Sequence, residues 1–167
     1  MSFTIRPAAP RDATALVELA RAVGSEPEAW LVAGGDWRTV GEEKRHLKAV
    51  RKSPHVSVIV AESQRGLVGR LSIARDPHPA CGHVADVGLM VAHAARRRGV
   101  GTALLAGAEE WARGAGVRKI ELHVFPHNEA ALALYEGLGY RREGYRERHF
   151  RRGEALVDAI LMAKELA

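Results

Sequence analysis

A single cysteine, Cys81, stands in a chain of 167 residues. No internal disulfide can form, and the composition fits a reducing, cytoplasmic setting. Long apolar runs are missing as well. Nothing approaches the ~20 residues of a membrane span, and Arg6, Pro7 and Arg11 break the start where a cleavable signal peptide would keep its apolar core. No membrane partner is expected. Aromatic residues make up only 5%, which bears on the net charge of +5 and the pI near 9.8. The basic residues are spread along the chain without interleaved aromatics, so nucleic acid is not expected as a partner. No Gly-Lys-Ser/Thr follows a glycine-rich turn, which excludes a Walker A loop. His78, Cys81, His83 and Asp86 have ligand-type side chains, but one thiol at that spacing matches no zinc pattern, and no metal is expected. What remains, 47% hydrophobic and 27% charged, is ordinary globular material, read as one domain over residues 1–167.

In chain order, Phe3–Arg6 reads as a short strand. Asp12 is a candidate cap for a helix carrying Leu16, Leu19, Ala20 and Val23, stopped at Gly24. Residues 25–41 are irregular, broken by Pro27, Gly34, Gly35 and Gly41, with Trp30, Leu31 and Trp37 as anchors. Thr39–Lys52 predicts a helix closed by Ser53-Pro54. Val56–Glu62 and Leu67–Arg75 predict a hairpin around Gln64-Arg65-Gly66, and His83–Val91 a third strand after the loop Asp76–Gly82. Arg141–Arg152 and Ala155–Lys164 predict two closing strands around Arg152-Gly153-Glu154. No repeat, low-complexity run or linker interrupts this order.

The stretch from Val87 to Leu105 organises the rest. An apolar strand runs through Arg96-Arg97-Arg98-Gly99-Val100-Gly101-Thr102 into a helix whose predicted buried face is Val100, Ala103, Leu104, Ala108, Trp111 and Ala115. Glycines before a helix start let backbone approach a ligand, and the free N–H groups of the first turn face it with the positive end of the dipole. Three arginines add positive charge. The turn reads either as an anion site for a phosphate or pyrophosphate, or as a tight connection with solvated arginines. A dinucleotide-binding fold fits poorly, because its third glycine would fall at Leu104.

A second motif follows the alternating strand Lys119–Phe125. Asn128 can cap a helix with Ala131, Leu134, Tyr135 and Leu138 on its buried face, and Gly139 stops it. Asn128 and Tyr135 lie about two turns apart and share one side. On their own they read as a cap and a core tyrosine.

Together the motifs resemble the GNAT superfamily of N-acetyltransferases. The signature Gln/Arg-x-x-Gly-x-Gly/Ala is matched by Arg96, Gly99 and Gly101, and Asn-x-x-Ala-x-x-Leu-Tyr-x-x-x-Gly-Tyr runs from Asn128 to Tyr140. The element order is also that of the family: an α+β fold with a mixed, mostly antiparallel sheet of about seven strands and about four helices. The resemblance implies acetyl-CoA as co-substrate and an acetyl group transferred to a primary amine in a ternary complex. The amine would belong to a protein N-terminus, an amino acid or a polyamine-like molecule. A non-catalytic acyl-CoA-binding module of the same fold is the alternative, and a homodimer is allowed.

It implies residue roles too. The pyrophosphate would lie on Arg96, Arg97, Arg98, Gly99, Val100, Gly101 and Thr102. The pantetheine arm would enter a gap between two splayed strands, along Leu89, Met90 and Val91, with Asn128, Ala131 and Tyr135 beside it. Tyr135 would protonate the leaving thiolate, and Asp86 would accept the ammonium proton, directly or through water. His123 and His127 are further base candidates, and their alternative reading is structural. Glu26, Glu28, Asp36, Glu42 and Glu43 either attract a cationic amine or are exposed charges. Arg141–Arg152, with His149 and six arginines, is either a solvated strand pair at the cleft edge or a reader of acidic groups.

Overall fold

Residues 56–63 bury side chains on both faces. Val58 and Val60 pack with Leu16 and Leu47, whereas Ile59 and Ala61 join a larger cluster with Leu104 and Leu105. A strand covered on both sides belongs inside a sheet with helices on each face. The computed structural model, which describes residues 1–28 and 37–167, has that arrangement.

Strands β1 (Phe3–Pro7), β2 (Val56–Ser63), β3 (Gly66–Arg75), β4 (Val84–Val91), β5 (Lys119–Val124), β6 (Arg141–Arg152) and β7 (Ala155–Glu165) form one sheet in the order β1-β2-β3-β4-β5-β7-β6. All neighbours are antiparallel except β4 and β5. Helices α1 (Ala13–Gly24) and α2 (Val40–Val50) cover one face, and α3 (Val100–Gly114) and α4 (Glu129–Gly137) the other. The α+β class, the mixed sheet and the element order therefore agree with the sequence reading. Among the described residues no helix is long and apolar enough to cross a membrane.

One feature of the sheet positions the site. The parallel pairing of β4 with β5 runs only through Val84↔Lys119, Ala85↔Ile120 and Asp86↔Glu121. Both strands continue, to Val91 and Val124, without a shared ladder. From Val87 to Met90 the β5 side of β4 has no strand partner among the described residues, while β3 pairs its other side as far as Gly69↔Val91.

Several local expectations shift. The buried face of α3 is Val100, Leu104, Leu105, Ala108 and Ala112, with Trp111 and Ala115 only partly covered. The helix sits very close to β3, where a Cβ on Gly69 would come within 2.8 Å of Leu104 and 2.9 Å of Val100. In α4, Leu132 and Tyr135 are buried, while Ala131, Leu134 and Leu138 are half-buried. Asp12 precedes α1 but makes no side-chain cap to it. Its carboxylate accepts from the Ala9 N–H at 2.7 Å and forms a two-point pair with Arg6 at 2.8 and 2.9 Å. Gly24 lies within α1 rather than beyond it. Thr39 caps α2, with Glu42 closing a capping box. The expectations for Trp30, Leu31, Gly34, Gly35 and Asp36 fall outside the described residues.

Candidate functional site

A cleft of about 1190 Å³ opens where β4 and β5 separate. It reaches both faces of the sheet, because neighbouring residues on a strand point to opposite sides. Leu89 lies on the α3/α4 face, where its Cδ2 is 3.7 Å from a Cβ placed on Gly101. Met90 lies on the α1/α2 face, packed with Leu19, Ala20 and Val23.

On the α3/α4 face the turn before α3 has unusual backbone geometry. Arg97 has φ +58° and Gly99 φ +82°, both left-handed. For an arginine this conformation costs roughly 1–2 kcal/mol, which the fold must supply elsewhere. These two left-handed residues make the turn tight, and the start of a 15-residue helix adds free N–H groups and its dipole. Gly101 has a different role. A Cβ there would meet Leu134 Cδ2 at 3.0 Å, so a side chain would fill the cleft between α3 and α4. Backbone amides, room at Gly101 and a strand edge without a partner suit an extended ligand with an anionic group at one end.

The three arginines separate. Arg97 lines the cleft. Arg96 also touches it, but its guanidinium is engaged in a two-point pair with Glu26 at 2.6 and 2.7 Å and donates to the Val91 carbonyl at 3.1 Å. Arg96 therefore ties the turn to β4 and to the end of α1. Arg98 is exposed and is not part of the lining.

From α4 come Asn128, Ala131, Leu134 and Tyr135. The Asn128 side chain accepts from the Ala131 N–H at 3.1 Å, so it caps the helix while facing the cleft. Tyr135 is only 6% exposed, its ring edge-on to Tyr140 at 5.7 Å. Burial raises its pKa, so the phenol stays protonated over the working range. Among the described residues nothing hydrogen-bonds its hydroxyl, which leaves that O–H for a ligand.

The α1/α2 face carries the titrating groups. Asp86 and Glu121 are paired across β4 and β5. Asp86 is 59% exposed in the open cleft, yet the enclosing walls, and then the Glu121 charge, raise its pKa to about 6. His123 Nδ1 stands 3.9 Å from Asp86 Oδ1. Burial, with Arg146 and His149 adding, lowers the His123 pKa and favours the neutral ring. Its Nε2 is buried without a hydrogen-bond partner among the described residues. His149 stacks on His123 at 5.6 Å, and Phe150 meets both rings edge-on. A bulge brings these two residues over the cleft: β6 loses register between Arg146 and Phe150, and Arg148 takes φ +51°. Asp158 pins that bulge by accepting from the Arg148 N–H at 2.7 Å and the Tyr145 hydroxyl at 2.6 Å.

His127, in contrast, does not line the cleft. It stacks on Phe125 and its Nε2 lies 2.7 Å from the Glu28 carbonyl. Of the acidic residues read as amine attractors or exposed charges, Glu28 and Glu42 are exposed, whereas Glu26 is half-buried and Glu43 buried, and none of the four lines the cleft. Glu26 holds Arg96, Glu42 caps α2, and Glu43 is fully buried against Arg38 and Arg70. His78 accepts from the Ala80 N–H in a short 3-10 turn, and among the described residues no three His, Cys, Asp or Glu side chains gather as a metal site would require. Arg70, Ser72, Trp37 and Glu121 also line the cleft, and the sequence reading gave none of them a role there.

A model of the acetyltransferase (GNAT) family matches residues 16–140. The chain is 36% identical over 143 residues to the N-alpha-acetyltransferase RimI of Mycobacterium tuberculosis, covering 84% of each protein. It is 34% identical over 115 residues to the L-amino acid N-acetyltransferase AaaT of Escherichia coli, covering 66% of this chain and 69% of that one. Among solved structures, an acetyltransferase of GNAT family from Streptococcus pneumoniae superposes with a TM-score of 0.89 at 29% identity, covering 99% of this chain and 100% of that one. The yncA protein of Salmonella typhimurium, solved with its cofactor acetyl-CoA, shares the fold with a TM-score of 0.85 at 20% identity, covering 100% of this chain and 95% of that one. With residues 16–140 matched and the fold shared from end to end, the chain belongs to the acetyltransferase (GNAT) family.

Proposed function

We propose that this protein is an acetyl-CoA-dependent N-acetyltransferase acting on a primary amine, with both substrates bound together across the β4–β5 gap. The observation that carries the reading is the end of strand pairing at Asp86↔Glu121, which leaves one cleft open to both sheet faces. When bound, acetyl-CoA supplies an activated acetyl thioester.

The α3/α4 face suits the cofactor. The N–H groups from Arg97 to Thr102 would hold the pyrophosphate with the Arg97 side chain, and Val100 and Gly101 would leave it room. Leu89, Met90 and Val91 offer the strand edge for the pantetheine arm. Because the Ala92 N–H is donated to Val68 on β3, it is the alternate groups of Leu89 and Val91 that face the gap, where their N–H donors would serve a carbonyl oxygen gaining charge. Asn128 and Ala131 would flank that arm, and Tyr135 would hold a proton on its hydroxyl oxygen for the departing sulfur.

The α1/α2 face suits the amine. With a pKa near 6, Asp86 is mostly ionised at neutral pH and still basic enough to take a proton. It would do so directly or through one water, with neutral His123 beside it. The proposed acid and base would thus sit on opposite faces of the sheet, joined through the gap. The test has two arms. Calorimetry with acetyl-CoA should show one site, and thiol release with a panel of primary amines should identify an acceptor. Failure to bind acetyl-CoA rejects the reading. Binding without turnover on any amine favours the non-catalytic module.

A further inference from the structure

Among the described residues of the cleft wall, Arg70 is the one buried arginine. It is 4% exposed, lies on β3 opposite Met90, and lines the cleft. Its nearest anion is the buried Glu43, whose Oε1 stands 3.7 Å from Arg70 Nη2, too far for a hydrogen bond. Glu43 is also taken by Arg38, whose Nη1 lies 3.1 Å from Oε2. Two guanidiniums therefore share one carboxylate. Trp37 lies against both, with Arg70 Cζ 5.1 Å and Arg38 Cζ 5.4 Å from its ring. Arg70 Nε is buried and has no partner among the described residues. A buried donor left unpaired is costly, as is a surplus positive charge. An anion arriving from the cleft would complete the arrangement.

The neighbouring rows show what kind of molecule would bring it. On the α1/α2 face the register runs from Arg70↔Met90 through Ser72↔Gly88 to Ala74↔Asp86. The middle row has almost no side-chain bulk, and a Cβ on Gly88 would come within 3.2 Å of Ser72 Oγ. The result is a trough with a positive end at Arg70 and a negative end at Asp86 and Glu121. The end rows lie roughly 13 Å apart along the strand, and the side chains shorten that span from both sides. We infer that the acceptor is a primary amine that itself carries a free carboxylate, held by Arg70 while its ammonium faces Asp86. The amino-acid class satisfies this polarity, whereas a polyamine has no anion to offer and the first residue of a protein has exchanged its α-carboxylate for an amide.

This inference rests on the acetyl-transfer reading, and the experiment separates the two. Thiol release from acetyl-CoA is measured with the common L-amino acids and with their primary amides, on wild type, Arg70→Gln and Arg70→Lys. A charge-assisted contact predicts that wild type favours the carboxylate by about 10- to 100-fold in kcat/KM over the matching amide. Arg70→Gln should bring that ratio close to one, with Arg70→Lys in between. A merely structural Arg70 lowers both members of each pair alike and leaves the ratio intact. An unchanged ratio in Arg70→Gln, or equal use of the amides by wild type, overturns the inference. If neither series turns over although acetyl-CoA binds, the transfer reading fails. Calorimetry of the same amino acids and amides on the wild-type–CoA complex then decides the inference alone. Selective carboxylate binding sustains it, and its absence overturns it. The wild-type comparison stands even if the variants do not fold.

Discussion

The Asp86→Asn substitution offers the sharpest view of how the cleft works. Burial and the Glu121 charge set the Asp86 pKa near 6. The active, ionised form then makes up about nine-tenths of the enzyme at pH 7 and about one-tenth at pH 5. In wild type, kcat/KM should fall tenfold per unit below pH 6 and be nearly level above it. Consider an acceptor whose ammonium titrates near ~10, as a lysine-type amine does. Without an enzymic base, only the free amine can react, about one molecule in a thousand at pH 7. The variant should therefore lose ~10²–10³-fold at pH 7 and recover about tenfold per pH unit, approaching wild type near pH 10. Stability should move in the other direction from a structural role. A carboxyl whose folded pKa is raised above its unfolded value gains stability as pH falls through the window from about 6 to the unfolded carboxylate range, and it is under strain above that window. Neutral Asn also removes the repulsion from Glu121, so the melting temperature at pH 7 should hold or rise. Rates from pH 5 to 9.5, with melting curves at the same points, make the comparison. A deficit that stays constant with pH, together with a lowered melting point, refutes Asp86 as the base and turns attention to His123.

Three further outcomes follow from the same geometry. Glu121→Gln removes the like charge beside Asp86, so the acid limb of the kcat/KM profile should move to lower pH; burial, the larger cause, keeps part of the shift. Tyr135→Phe removes a hydroxyl with no hydrogen-bond partner among the described residues, so the melting point should barely change while kcat falls by roughly 10²–10⁴-fold. A variant with wild-type rates would leave Tyr135 as packing for Tyr140 alone. Gly101→Val places a branched side chain where even a Cβ meets Leu134 at 3.0 Å, so calorimetry should show acetyl-CoA affinity sharply weakened in a chain that still folds. Unchanged affinity would remove Gly101 from the cofactor site.

Local chemistry makes half of this cleft legible in the sequence. The strand–turn–helix around Gly99 and Gly101 follows from periodicity and glycine, and the cap at Asn128 from its spacing to Tyr135. The α1/α2 face is much harder to read. Arg70 looks like the solvent-facing member of an alternating strand, and nothing local shows that α2 lays Glu43 over it. Glu43 reads as one of several acidic residues on a surface helix for the same reason. Asp12 misleads in a related way. Its position before a helix suggests a cap, yet Arg6, brought alongside by the turn at Pro10, takes the carboxylate instead.

The deeper gap in a sequence reading is pairing. Alternation along residues 84–91 already puts Asp86 and Met90 on one face and Leu89 on the other. It cannot say that β4 loses β5 after Asp86, because that depends on a strand more than thirty residues later pairing with β7 through Lys119↔Glu165 to Val124↔Ile160. β5 follows β7 over those rows while β4 follows β3, and the two halves of the sheet part company at Asp86 and Glu121. That parting accounts for both unusual features of the site. It exposes a strand edge that an extended ligand can complete, and it seats two carboxylates at the fork, where burial and mutual repulsion raise the Asp86 pKa into the range a base needs. A substitution that restored pairing beyond Asp86 would therefore close the open strand edge and cover Asp86 in the same step, so such a change should lower acetyl-CoA affinity and flatten the acid limb together, unlike Gly101→Val or Asp86→Asn, which touch one side each.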